Sequence, residues 1–197
     1  MDAVVFDLGN VLISWDPRRV VSEAFIAETD FYAWNLELDL GVPFDEVVAR
    51  WCDAHPEHAA EVKAFQDRWL ETLGAVDADV LALVHELRAN GVGVFGLTNS
   101  SMENAPRSPE VRDVFAQLDG VVVSGDVGLA KPDRAIYELT SQLFGLEPTR
   151  TWFVDDNAAN VAGANAYGWS GILFTDATVL REALSGAGLV RAGGRSS

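Results

Sequence analysis

Residues 4–12 read VVFDLGNVL: an apolar run broken by Asp7, then Gly9 and Asn10, then apolar residues again. A continuous apolar run marks a strand covered on both faces, and Asp7 places a carboxylate at its end. Five segments share this character: AVVFDL (3–8), GVFGLT (93–98), GVVVS (120–124), TWFVDD (151–156) and SGILFT (170–175). Helical patterns lie between the later ones. Asp77 is placed to cap a helix bearing Val80, Leu81, Val84 and Leu87, with Gly91 at its end. Pro132 is placed to open a second, bearing Ile136, Tyr137, Thr140 and Phe144 and closed by Gly145. An Ala-rich third, 158–167, carries Val161 and Ala164 and stops at Gly168. This alternation predicts an α/β fold: a Rossmann-like parallel sheet with helices on both faces.

One connection is out of scale. Strand-to-helix loops in such folds run about 2–6 residues, yet roughly 65 residues separate the first strand from the Asp77 helix. That stretch is itself helical in pattern. Val62, Phe65, Trp69 and Leu73 are spaced as one helical face, Val47, Val48 and Trp51 as another, and Val21, Ala24 and Phe25 as a third; Pro43 and Pro56 divide them. The expected organisation is a core of residues 1–14 and 77–190, a small helical cap of 15–76, and a disordered tail of 191–197.

The chain carries 30 acidic and 14 basic side chains, a formal charge of −16. That balance argues against nucleic acid or an anionic membrane surface as partner. It also means that a site for an anion must reverse the local sign. Cys52 is the only cysteine, which excludes an internal disulfide and reads as a small packed residue. MDAVVFD runs directly into the first strand with no basic or long apolar stretch, so the expected setting is cytoplasmic. His55, His58 and His85 have no metal-ligand spacing and read as surface residues; Trp34, Trp51, Phe65 and Trp69 read as the cap's own core.

In parallel α/β sheets, ligands bind outside the carboxyl ends of the strands. Those ends carry Asp7, then Thr98-Asn99-Ser100-Ser101, then Lys131 in GDVGLAKPD, then Asp155-Asp156-Asn157. This set suits phosphoryl transfer. A carboxylate attacks phosphorus competently but repels a phosphate dianion. A hard divalent ion on oxygen ligands removes the repulsion, and a lysine with hydroxyl or amide donors neutralises the transferred oxygens.

These residues resemble the four motifs of the haloacid dehalogenase-like hydrolase superfamily, in order: Asp7 in VVFDLGNVL, Thr98 in FGLTN, Lys131 in GLAKPD and Asp155-Asp156 in FVDDNAAN. The resemblance spans about residues 3–175, including a helical cap after the first motif. It implies a Mg²⁺-dependent phosphatase acting on a small phosphate ester. Asp7 would be nucleophile and metal ligand, Gly9 would lend a backbone carbonyl and Asp156 a carboxylate to Mg²⁺. Thr98 and the Asn99 amide would hold the phosphoryl group, Lys131 would orient it, and Asp155 and Asn160 would support the site. Trp15, Asp16 and Arg18, at the cap hinge, are candidates for substrate contact or water activation.

The departure is Gly9. Most phosphatases of the superfamily carry a second Asp there, which serves as general acid and base. The form DLGNV resembles a bacterial subgroup of sugar-phosphate phosphatases similar to glucose-1-phosphatase, so sugar phosphates are favoured. Leaving-group protonation must then come from elsewhere or matter less, which favours acidic leaving groups. Two alternatives stand: a 2-haloacid dehalogenase, which needs no metal, and a non-hydrolysing phosphoacceptor or binding module.

Overall fold

Val4 and Phe6 of the first strand pack into one hydrophobic core, Ala3 and Val5 into another on the opposite face of the sheet. Both faces are interior, which is why the run shows no polar alternation. The protein is described here from a computed structural model that covers residues 1–101, 103 and 108–191. The strands are β1 (Ala3–Phe6), β2 (Ile13–Trp15), β3 (Leu73–Val76), β4 (Gly93–Thr98), β5 (Gly120–Val123), β6 (Thr151–Asp155) and β7 (Ser170–Leu173). Five of them form a parallel sheet, as expected from the sequence; their order is β5-β4-β1-β6-β7.

The helices are α1 (Glu23–Glu28), α2 (Phe31–Asp39), α3 (Phe44–Ala54), α4 (Ala59–Asp67), α5 (Ala78–Ala89), α6 (Pro109–Phe115), α7 (Ser124–Val127), α8 (Arg134–Phe144), α9 (Ala158–Tyr167) and α10 (Ala177–Gly186). On one face of the sheet Leu83, Val84 and Leu87 of α5, Val111 and Val114 of α6, and Leu180 and Leu184 of α10 pack on Val4, Phe6, Val94 and Val154. On the other, Ile136 and Tyr137 of α8 and Ala164 of α9 pack on Val5, Leu97 and Phe153. Asp77 caps α5 by accepting from the N–H groups of Asp79 and Val80, each at 3.0 Å. Gly145 ends α8 at φ 64, a left-handed conformation that costs glycine little. Among the described residues no helix is long and apolar enough to cross a membrane.

Residues between β1 and α5 form the helical insertion. Its core is Phe25, Phe31, Trp34, Val47, Val62, Phe65 and Trp69, separate from the two sheet cores. The rings meet edge to face, Phe31 on Phe65 at 5.1 Å and Trp34 on Phe65 at 5.4 Å. Cys52 packs at the edge of this core as a free thiol.

Several details differ from the sequence reading. The face Val62-Phe65-Trp69-Leu73 is not one helix: α4 stops at Asp67, Trp69–Thr72 tighten into a 3-10 turn, and Leu73 opens β3. The tighter turn keeps Trp69 and Thr72 buried while freeing Leu73 to pair with Trp15 across the antiparallel β2-β3 ribbon. That ribbon carries the chain into and out of the insertion, and no apolar alternation announced it. Pro132 does not open α8; it lies in a turn closed by Asp133 N–H to Ala130 O at 3.0 Å, and the helix begins at Arg134. α10, capped by Asp176, is a helix for which the sequence reading gave no pattern. His58 is not a surface residue: its side chain is 14% exposed, pairs with Glu28 at 3.2 Å and sits edge-on to Phe25. The expected tail lies outside the described residues from 192 onward.

A core of its own makes the insertion separately vulnerable. Phe65→Ala should cost about 3–5 kcal/mol at that core, read as a lower denaturation midpoint by tryptophan fluorescence. The sheet's far-ultraviolet signal should unfold later or at an unchanged midpoint.

Candidate active site

Strand register, more than any local feature, builds the site. Phe6 aligns with Val154 of β6 and with Gly96 of β4, so the next residues, Asp7 and Asp155, end side by side with Thr98 at the adjoining strand end. Asp7 N–H completes the alignment by donating to Val154 O at 2.8 Å. Residues from opposite ends of the chain thereby meet at the carboxyl edge of the sheet, where helices α5 and α9 leave on opposite faces.

Lys131 sits at the middle of this edge and is 3% exposed. Its Nζ lies 2.8 Å from Asp7 Oδ1, 2.8 Å from Asp155 Oδ2 and 3.0 Å from Leu97 O. The ammonium also stands over the Phe153 ring. Burial alone pulls its pKa down, but Asp7 and Asp155 outweigh burial and hold it above the ordinary lysine range. The Asn99 side chain fixes the segment that presents it, donating to Lys131 O at 3.0 Å and accepting from Lys131 N–H at 2.9 Å. Both polar ends of that amide are engaged there. What Asn99 can offer a ligand is therefore its main-chain N–H.

The carboxylates differ in their partners. Asp155 is fully buried; Asn160 donates to both of its oxygens at 3.1 Å and Asn157 N–H to Oδ1 at 2.8 Å. Asn160 thus acts on Asp155 and not on its i+4 neighbour Asp156. Asp7 accepts Leu8 N–H on Oδ1 at 2.7 Å, the oxygen that Lys131 also reaches. Burial pushes the Asp7 carboxyl up to about 7; Lys131 opposes the rise and Asp155 adds to it. Asp156 is more exposed and is also raised, by burial and then by the charge of Asp155, with Asn10 hydrogen-bonding it in opposition. One oxygen from each of Asp7, Asp155 and Asp156 lies within 4.8 Å of the others.

Three carboxylates in that space, with one lysine among them, leave negative charge uncompensated. Hard oxygen donors at this spacing fit a divalent cation such as Mg²⁺. Asp155 is already saturated by Lys131, Asn160 and Asn157. Asp7, Asp156 and the Gly9 main chain, all lining the adjoining cavity, are the donors left for the ion.

The cavity has a volume of about 730 Å³. Asp7, Thr98, Lys131 and Asp156 line its floor; Trp15, Leu36, Phe44, Trp69 and Phe115 line its apolar wall. Trp15, Asp16 and Arg18 border it as the hinge position suggested. Every residue singled out from the four motifs except Asp155 lines this cavity, and Asp155 touches Lys131 directly.

Sequence reasoning missed two residues here. Asn10 is left-handed at φ 56, bonds Asp156, and accepts Trp15 N–H on its side chain at 2.9 Å, tying the first strand end to the ribbon. The Gly-Asn pair was a readable signal for that turn. Asp39, at the end of α2, lines the same cavity from the insertion, and no motif marks it.

Residues 1–168 match the haloacid dehalogenase-like hydrolase family. The sesquiterpene phosphatase astK of Aspergillus oryzae is 27% identical over 194 residues, 88% of this chain and 90% of that protein. Phosphatase MT3486 of Mycobacterium tuberculosis is 30% identical over 196 residues, 85% of this chain and 84% of the relative. The haloacid dehalogenase-like enzyme BT-2542 of Bacteroides thetaiotaomicron, solved in complex with magnesium and inorganic phosphate, superposes with a TM-score of 0.68. It is 21% identical and covers 89% of this chain and 94% of its own. At that identity the likeness is one of fold.

Lys131→Met tests the electrostatics. It strands two buried carboxylates without their cation and should destabilise the protein by about 3–5 kcal/mol at pH 8. Removing the lysine takes away the charge that opposes the rise at Asp7, so the folded-state pKa of Asp7 climbs further above its unfolded value. The folded variant then binds more protons than the unfolded chain, so its stability falls as pH rises. The deficit should shrink in melts at pH 5.

Proposed function

Because the chain belongs to the haloacid dehalogenase-like hydrolase family, we propose that it is a Mg²⁺-dependent phosphatase working through an aspartyl-phosphate on Asp7. The observation that carries this reading is the Lys131–Asp7–Asp155 cluster with Asp156 beside it, at the floor of a cavity large enough for a small phosphate ester. Both phosphatase relatives match along most of their length, which supports it.

Asp7, Asp156 and the Gly9 carbonyl would hold the ion. When bound, it supplies the positive charge that cancels repulsion between carboxylate and phosphate. Asp7 Oδ2, the oxygen opposite the one engaged by Lys131 and Leu8, attacks phosphorus. The bond from phosphorus to the ester oxygen breaks, and its electron pair leaves with the alcohol. Lys131, the Thr98 hydroxyl and the Asn99 main-chain N–H neutralise the three phosphoryl oxygens as charge develops on them. Asp155 and Asn160 keep Lys131 aimed. Water then attacks phosphorus, the Asp7–phosphorus bond breaks, and the carboxylate returns. Residues 15–76 act as a cap over the 1–14 and 77–190 core, excluding bulk water and shaping specificity. The free thiol of Cys52 is consistent with a reducing, cytoplasmic setting.

Two substrate classes follow from different observations. The DLGNV form favours sugar phosphates. The apolar wall of Trp15, Leu36, Phe44, Trp69 and Phe115 favours phosphates of larger apolar alcohols, in line with the sesquiterpene phosphatase relative. Dehalogenation fits less well, since it has no use for a clustered set of carboxylates.

A phosphate-release panel with a sugar 1-phosphate, a sesquiterpenyl monophosphate and 4-nitrophenyl phosphate tests the reading. Asp7→Asn should lower activity on the order of 10³-fold or more. Equal inactivity of wild type and variant on every member would refute it. Chelation by EDTA should abolish turnover and Mg²⁺ restore it; Mg²⁺ alone should raise the melting temperature of wild type but not of Asp156→Asn. Activity that survives EDTA would point to the dehalogenase chemistry.

A further inference from the structure

An alcohol leaving phosphorus needs a proton, and position 9 supplies none. Gly9 lines the cavity, and a Cβ added to it would meet no atom within 4 Å beyond its chain neighbours. The other acids in the cavity are committed. Asp7 carries the nucleophilic oxygen, and Asp156 belongs to the cation cluster. Asp16 is turned to the Arg18 N–H at 2.9 Å and to its guanidinium at 3.5 Å. Tyr32 is 54% exposed, at the rim. Asp39 is the acid left over.

We propose that Asp39, reaching the cavity from the insertion, donates the proton to the departing alcohol and then accepts one from the hydrolytic water. This rests on the phosphatase reading above. In the first step the P–O ester bond breaks and the ester oxygen takes the Asp39 proton. In the second the Asp39 carboxylate takes a proton from water, whose oxygen bonds to phosphorus as the Asp7–phosphorus bond breaks. Alcohol and inorganic phosphate are the products, and both carboxyl groups return to their starting states.

Three features place Asp39 for this. Its main-chain carbonyl accepts from the Ser124 hydroxyl, which is fully buried in the core and also accepts Ser100 N–H at 2.9 Å. Two residues on, Gly41 at φ 88 lies so close to Gly125 O that a side chain there would collide with it. The Asn35 side chain holds one carboxyl oxygen, Oδ2, at 3.1 Å. The end of α2 is therefore docked against the strand ends that carry the phosphate site. As the last residue of a helix, Asp39 also faces the negative end of the helix dipole, which favours its neutral form. Burial pushes its carboxyl up to about 7, with Lys131 and then Asn35 opposing the rise. An acid of that strength is half protonated near neutrality, which suits a group that must both give and take a proton.

The experiment compares kcat/KM, which reports steps through departure of the alcohol, for a primary alkyl phosphate and for 4-nitrophenyl phosphate. Asp39→Asn should lower kcat/KM for the alkyl ester on the order of 10²–10⁴-fold. The aryl ester should change little, because nitrophenolate departs without a proton. On the aryl ester the variant should also accumulate the aspartyl-phosphate, detectable by acid quench, since its dephosphorylation loses its base. Adding Gly9→Asp to Asp39→Asn should restore alkyl turnover, since position 9 lines the cavity and has room for a Cβ. Equal losses on both esters, or no loss, in a variant with an unaltered melt would overturn the assignment of Asp39. A wild type that releases phosphate from neither ester would overturn the phosphatase reading instead.

Discussion

Everything at the carboxyl edge of the sheet depends on one buried ammonium group held between two carboxylates and a carbonyl. Desolvating an ion is expensive, and a buried pair persists only when geometry and further hydrogen bonds compensate. Here they do: Lys131 has three oxygen partners, Asp155 is filled by Asn160 and Asn157, and Asn99 grips the lysine's own backbone. The packing behind it is as demanding. Gly163 on α9 comes so near the turn before α8 that an added side-chain carbon would stand 2.6 Å from Pro132 O. A contact between α9 and the Pro132 turn thus sets where the adjacent Lys131 can sit.

The same arrangement answers the problem that a chain of charge −16 would face in holding a phosphate. The positive charge is not spread over the surface. It is concentrated in one lysine whose charge is preserved by its neighbours, and in a cluster of carboxylates whose mutual repulsion a bound cation would relieve. Acidic residues far from the edge keep their solubilising role without defeating the site.

Much of this was legible in the sequence, for identifiable reasons. The five strands declare themselves because both faces are buried, and Asp77, Gly145 and Gly168 punctuate helices by side-chain capping or freedom at positive φ. Asp7, Thr98, Lys131 and Asp155 could be grouped because strand ends converge whatever the intervening chain does. The unread parts obey other physics. The β2-β3 ribbon consists of two short strands whose pairing partner, not their composition, makes them extended. The apolar spacing around Leu73 reports burial and was silent on where α4 tightens and stops. Asp39 lacks any local signature: its place depends on Ser124 and on the close approach of Gly41 to Gly125, which are tertiary facts.

That close approach of two glycines has a kinetic corollary. The groups proposed to grasp phosphate lie at the carboxyl edge of the sheet, whereas the end of α2 belongs to the insertion and reaches its seat only where neither partner has a side chain. An ester whose alcohol wedges that seat open would still be captured by its phosphate. Discrimination among alcohols would then be registered in turnover and not in affinity, and poorly fitting phosphates would act as competitive inhibitors of well-fitting ones.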